Sequence, residues 1–155
     1  ALGNRSIVAD PRREDIKDVL NKEIKFREYW RPYASAVLKE YYNIYFSNLL
    51  LAKLNENREI SPYMTLSSKY IGPVNLPGIV HEDGSSRIQT VSKNKNEKFW
   101  KLILSFCKIT DIPILLNTSF NIDGQPIVET PKNALETFIN SKIDLLAMNN
   151  YLISK

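Results

Sequence analysis

The 155 residues are 43% hydrophobic and 25% charged, enough apolar material for one substantial core, which argues against a disordered segment and for a single globular domain over residues 1–155. A single cysteine, Cys107, and a single histidine, His81, exclude an internal disulfide framework and a Cys/His metal cage, while a carboxylate metal site stays open. The net charge of +4 favours anionic partners such as phosphates, nucleic acid or an acidic protein surface.

The longest apolar stretches, Ile112 to Leu116 and Ile143 to Met148, fall far short of the roughly 20 residues of a spanning helix. With no charged-then-apolar leader at the start, a soluble, cytoplasmic chain is expected. Ala1 opens on Leu-Gly-Asn-Arg-Ser, which reads like the interior of a motif, so a truncated chain is expected too.

Asp10-Pro11 places a favourable N-cap before a proline, and Ile16, Val19 and Leu20 recur at helical spacing, predicting a helix over about 11–22. Pro32 then biases Arg31 toward extended geometry, and Phe26, Trp30 and Tyr33 favour strands, so 24–38 is expected mainly as strand. Residues 40–54 predict a dense apolar helix. Strands are expected over 62–66 and 87–91. Between them lie Gly72, Pro73, Pro77, Gly78 and Gly84, a candidate lid over a site.

Phe99, Leu102, Ile103, Phe106 and Cys107 follow amphipathic spacing, predicting a helix over 95–109 with Cys107 in the core. The apolar run 112–116 predicts a strand buried on both faces, emptying into Asn117-Thr118-Ser119-Phe120-Asn121. Asp123-Gly124 signals a tight turn. Thr130-Pro131 caps a helix, and short strands near 143–148 and 151–153 close the chain. This alternation argues for an α/β (α+β) fold, a sheet with helices packed on it.

In an extended 24–38, Lys25, Arg27, Tyr29 and Arg31 share one side. Such a cation row suits a nucleotide or acyl phosphate, with arginine giving forked hydrogen bonds and lysine a point charge. The alternative is a solvated edge strand guarded by charges. Arg87, on the polar side of its strand beside Gln89, is either a fourth cation converging on that pocket or a lone surface arginine.

Asn117, Ser119 and Asn121 stand where a buried strand ends and loops begin, and their groups suit a phosphate, a carbamoyl group or a ribose; ordinary strand-end capping explains them equally. Ser119 has no Gly-x-Ser-x-Gly elbow around it, so hydrogen bonding rather than nucleophilic attack is expected. His81, beside Glu82 and Asp83, is either a polar loop residue or a base.

Four strings occur together and in order: Ala-Leu-Gly-Asn-Arg-Ser-Ile at 1–7, Lys-Phe-Arg-Glu-Tyr-Trp-Arg-Pro-Tyr-Ala at 25–34, His-Glu-Asp-Gly-Ser-Ser-Arg-Ile-Gln-Thr-Val at 81–91, and Leu-Asn-Thr-Ser-Phe-Asn at 116–121. With Gly-Gln-Pro-Ile-Val-Glu-Thr-Pro at 124–131 they resemble the C-terminal domain of the NodU/CmcH O-carbamoyltransferases. The resemblance implies a YrdC-like twisted mixed sheet with flanking helices, and a Lys-x-Arg pair with a later Ser-x-Asn, here Lys25, Arg27, Ser119 and Asn121.

It further implies that the domain takes carbamoyl phosphate and ATP, builds carbamoyl adenylate, and passes it to an N-terminal actin/sugar-kinase-like domain for transfer to an acceptor hydroxyl. Lys25, Arg31, Arg87 and Ser119 would contact phosphate and carbamoyl groups, with Mg²⁺ carried on the nucleotide. Partners are then ATP, carbamoyl phosphate and the N-terminal domain of the same enzyme. Apart from the resemblance, the apolar 40–54 helix is a candidate docking face for a partner domain or for a second copy in a homodimer. A membrane is not expected. Nucleic acid is the competing ligand for a basic face near Tyr29, Trp30 and Tyr33.

Overall fold

The computed structural model describes residues 2–47 and 60–155. Among them, six strands form one mixed sheet: β1 (Ser6–Ala9), β2 (Ala34–Leu38), β3 (Phe46–Ser47), β4 (Leu66–Tyr70), β5 (Ser85–Val91) and β6 (Ile114–Ser119). Their spatial order is β1-β6-β2-β5-β4-β3. β2 and β5 run parallel, with Ala34 opposite Arg87, while β6 is antiparallel to both neighbours, pairing Ala34 with Asn117 and Ser6 with Ser119. A separate hairpin, β7 (Leu145–Met148) with β8 (Tyr151–Ser154), closes the described chain.

Alternation along the central strands builds two cores. Val37, Ile114 and Leu116 face a large cluster with Ile16, Leu20, Ile24, Leu76, Ile79 and Phe138. Ala36, Leu38 and Leu115 face Val91, Phe99 and Ile103. The run 112–116 is thus buried on both sides, as its unbroken apolar character predicts. The helix expected over 95–109 is α3 (Glu97–Thr110), capped by Asn96, whose side chain accepts from Phe99 N. Cys107 is half-buried, and burial pushes its thiol above the usual range.

Several expectations are corrected. The N-terminal helix starts later than its Asp-Pro signal: α1 (Ile16–Asp18) runs into a π-helical stretch over Val19–Lys25. Asp10 instead accepts from Arg12 N at 2.9 Å and pairs with the Arg12 guanidinium at 2.6 Å, a local turn that competes with capping. Within 24–38 only β2 is strand; residues 26–33 are irregular, and Phe26 takes a left-handed conformation at φ 47°.

The expected 40–54 helix is broken within the described residues. A 3-10 turn (Lys39–Tyr41) and the single-turn α2 (Tyr42–Tyr45) give way to β3, because Phe46 and Ser47 find ladder partners in Tyr70 and Lys69. Residues 48–54 lie outside the described part. The strand expected over 62–66 lies at 66–70, and residues 60–65 turn, with Met64 at φ 58°.

Part of the glycine- and proline-rich stretch expected as a lid belongs to the core instead. Leu76 and Ile79 are fully buried in the core, Gly78 N donates to Pro11 O at 3.0 Å, and Lys17 Nζ donates to Val80 O at 2.7 Å. Its apolar residues decide its place, anchoring it against α1. Near the C-terminus, Thr130 and Asn133 form a reciprocal capping box at the start of α4 (Pro131–Ile139), which buries Ala134 and Phe138 one turn apart.

Candidate functional site

The π-helical turn ends at Lys25, and its exit is organised by one buried residue, Asn21, through its main-chain carbonyl as well as its side chain. The Asn21 carbonyl accepts from Phe26 N and, at 3.0 Å, from Arg27 N. The Asn21 side-chain oxygen accepts from the Tyr33 phenol at 2.6 Å and from Arg27 Nε at 3.0 Å, while its amide donates to Tyr29 O at 3.3 Å. Arg27 is thereby pinned with its guanidinium 4.4 Å over the Tyr33 ring. Its Nη2 is buried and has no hydrogen-bond partner among the described residues. Burial is also the main reason the Tyr33 phenol titrates above its ordinary range.

Lys25 reaches the end of β6. Its ammonium donates to Asn121 Oδ1 at 2.8 Å, to Ser119 Oγ at 3.3 Å and to the Ser119 carbonyl. Only 4% of the residue is exposed. All three acceptors are neutral, and the neighbouring charge is Arg27. Burial first, and Arg27 second, push the Lys25 ammonium down to about 8. The Ser119 hydroxyl donates to Asn121 Oδ1 at 2.6 Å. Its proton is directed to Asn121 rather than to Lys25.

These side chains border a cleft of about 450 Å³ lined by Lys25, Phe26, Arg27, Glu28, Arg31, Ser119 and Asn121, with the turn Ile122-Asp123-Gly124 along one side. Arg31 is exposed and pairs with Glu28 at 2.8 Å. A desolvated ammonium and an arginine with a free buried donor create a positive potential suited to an anion with several oxygens. Two carboxylates, Glu28 and Asp123, lie among the lining residues, and no group of three or more His, Cys, Asp or Glu could hold a metal among the described residues.

The structure therefore brings together Lys25, Arg27, Arg31, Ser119 and Asn121, although not through strand alternation. Asn117 and Arg87 do not line this cleft. Asn117 is buried, and its amide donates to Gln89 Oε1 at 2.8 Å, a bond between β6 and β5. Arg87 is exposed on β5, at the same end of the sheet, opposite Ala34. His81 lies between Ser85 Oγ at 3.2 Å and Tyr33 O at 3.4 Å, and burial lowers its titration range. Phe26, Glu28 and the 122–124 turn are lining residues the sequence reading passed over. The Asp123-Gly124 turn signal, two residues after Asn121, was the available clue for the last of these.

Comparison with known proteins adds a family. The model described as the carbamoyltransferase C-terminus matches residues 1–155. The chain is 44% identical over 161 residues to the nodulation protein NolNO of Sinorhizobium fredii, covering 100% of this chain and 22% of that protein. It is 40% identical over 158 residues to NolO of Bradyrhizobium diazoefficiens, covering 100% of this chain and 28% of that one. Nodulation protein U of Rhizobium tropici is 34% identical over 157 residues, with 100% of this chain and 25% of that protein covered. The chain spans about a quarter of the length of these curated relatives. No helix among the described residues is long and apolar enough to cross a membrane.

Proposed function

The chain belongs to the carbamoyltransferase C-terminal family, and from that premise we propose that its cleft binds ATP and carbamoyl phosphate and forms carbamoyl adenylate. Another part of the same protein would transfer the carbamoyl group to an acceptor hydroxyl. The observation that carries this reading is the convergence of Lys25, Arg27 and Arg31 with Ser119 and Asn121 around one cleft, with the Lys25 ammonium facing only neutral acceptors.

In adenylate formation a carbamoyl oxygen bonds to the α-phosphorus, the bridge to the β-phosphate breaks and pyrophosphate leaves, while water takes up the phosphoryl group of carbamoyl phosphate. Negative charge is redistributed over phosphate oxygens, so positioned cations and N–H donors supply most of what the reaction requires. The free Arg27 Nη2 and the Lys25 ammonium are donors of that kind. Arg31 becomes available when phosphate oxygens displace Glu28, and Ser119 and Asn121 orient Lys25. Mg²⁺ would be held by nucleotide oxygens and water, with the protein supplying the surrounding cations.

Arg87, exposed at the same end of the sheet, is proposed as an outlying phosphate contact. Calorimetric titration of the intact protein with ATP and with carbamoyl phosphate tests the reading. Binding of both, weakened at least tenfold by Lys25→Ala and less by Arg87→Ala, is expected. Folded protein that binds neither ligand, or binds both undiminished in Lys25→Ala, refutes it. A salt-dependent RNA shift without ATP affinity would instead assign the basic cleft and the exposed Tyr29 and Trp30 to nucleic acid.

A further inference from the structure

Phe26 stands where stability alone would place glycine. It ends the π-helical turn with φ 47° and ψ 49°, and its N–H closes that turn onto Asn21 O. A left-handed residue at a helix C-terminus is ordinarily glycine or asparagine, since Cβ crowds the backbone there. Phenylalanine adds steric strain and gains little packing in return, with 58% of the residue left in solvent. Strained residues of this kind cluster at ligand sites.

The place of Phe26 in the cleft gives the strain a use. Phe26 sits between the two cations most firmly fixed in the cleft, Lys25 and Arg27, and lines that cleft with them. Tyr29 and Trp30 are at least as exposed but do not line it, and Trp30 instead lies 5.9 Å from the Arg31 guanidinium. A ligand with a negatively charged tail on Lys25 and Arg27 and a flat aromatic group beside it would satisfy both features. Nucleotides have that construction, and aromatic side chains stack on any base through its π-face.

We infer that Phe26 is the stacking platform for the nucleobase, held in a strained backbone conformation that presents its ring to the base of a nucleotide whose phosphates lie on Lys25 and Arg27. The inference rests on the nucleotide reading above. It assigns base recognition to a residue that contributes neither charge nor hydrogen bond.

The test is titration of the intact protein with ATP and with inorganic tripolyphosphate, which carries the anionic tail without the base, in wild type, Phe26→Gly and Phe26→Trp. Phe26→Gly should weaken ATP binding about 5- to 100-fold, leave tripolyphosphate binding unchanged, and melt no lower than wild type because glycine accepts the left-handed backbone. Phe26→Trp should retain ATP affinity. Equal ATP affinity in wild type and Phe26→Gly, with tripolyphosphate still bound, would overturn the stacking role alone and assign the ring to contact with another part of the protein. Failure of wild type to bind either ligand would overturn the nucleotide reading and this inference with it. A parallel loss of ATP and tripolyphosphate in Phe26→Gly would reduce Phe26 to a structural residue.

Discussion

Replacing Lys25 with methionine should leave the protein folded and abolish one specific segment of its pH dependence. In the folded state the Lys25 ammonium titrates at about 8 rather than its ordinary 10.5, a difference of roughly 3 kcal/mol between charged and neutral forms. Between those values the unfolded chain binds the proton and the folded chain releases it. The contribution of Lys25 to wild-type stability should therefore rise with pH across that window, by about 3 kcal/mol, whereas below about pH 8 the folded state carries the full cost of a desolvated ammonium. Lys25→Met removes that cost but also the hydrogen bonds to Ser119 and Asn121, a loss of about 1–3 kcal/mol. The two effects nearly cancel at pH 7. Guanidinium denaturation of both proteins from pH 7 to 10.5 reads the difference, since tyrosines and other lysines titrate alike in both. Wild type should gain on the variant by about 3 kcal/mol over the window. Parallel stability curves would refute the account of Lys25 as a buried cation without a counter-charge.

Three further substitutions probe the surroundings. Glu28→Gln should release Arg31 from its exposed ion pair, tightening tripolyphosphate binding about two- to fivefold with little change in melting temperature; weaker binding would contradict the roles given to both residues. Gly78→Ala would place a Cβ 2.8 Å from Ile16 Cγ2 and 3.0 Å from Pro11 O, an overpacking cost of about 1–3 kcal/mol visible in chemical denaturation, and an unchanged midpoint would show that Gly78 is not packed on α1. Thr130→Ala should cost about 1 kcal/mol through loss of the capping box, measured the same way, with phosphate binding unaffected.

The regular elements that were legible in the sequence are those whose stability is local or whose burial is complete. The apolar stripe from Phe99 to Phe106 needs only a surface to pack on, and Thr130 supplies its own cap; both helices form where their patterns place them. The double burial of Ile114 to Leu116 is likewise written in an unbroken apolar run. The segment from Lys25 to Tyr33 was misread because its structure is decided elsewhere. β propensity and Pro32 argue for extended chain, but Asn21 accepts from Phe26 and Arg27 at its main-chain carbonyl, accepts from Arg27 and Tyr33 at its side-chain oxygen and donates to Tyr29 O. One buried residue with several partners outweighs weak local preferences. The helix expected from Glu40 gave way in the same manner, its Phe46 being taken by pairing with Tyr70.

That Lys25, Arg27 and Arg31 nevertheless converge follows from topology rather than from strand periodicity. β6 runs antiparallel to β2, so the chain leaving β6 at Ser119 emerges at the sheet end where the 26–33 segment enters β2 at Ala34. This arrangement closes the 94-residue interval between Lys25 and Ser119 to hydrogen-bond distance. β5 runs parallel to β2 and starts at the same end, which is why Arg87 stands opposite Ala34. Basic and hydrogen-bonding residues that look scattered in sequence thus share one end of the sheet because three adjacent strands begin or finish there. Strand alternation would have put the cations on a solvated face, where exchange with water and salt weakens their hold on an anion. The turn at Asn21 instead buries Lys25 and pins Arg27 beside the end of β6, leaving Arg31 at the rim, and so concentrates positive charge in a cleft with room for a polyphosphate.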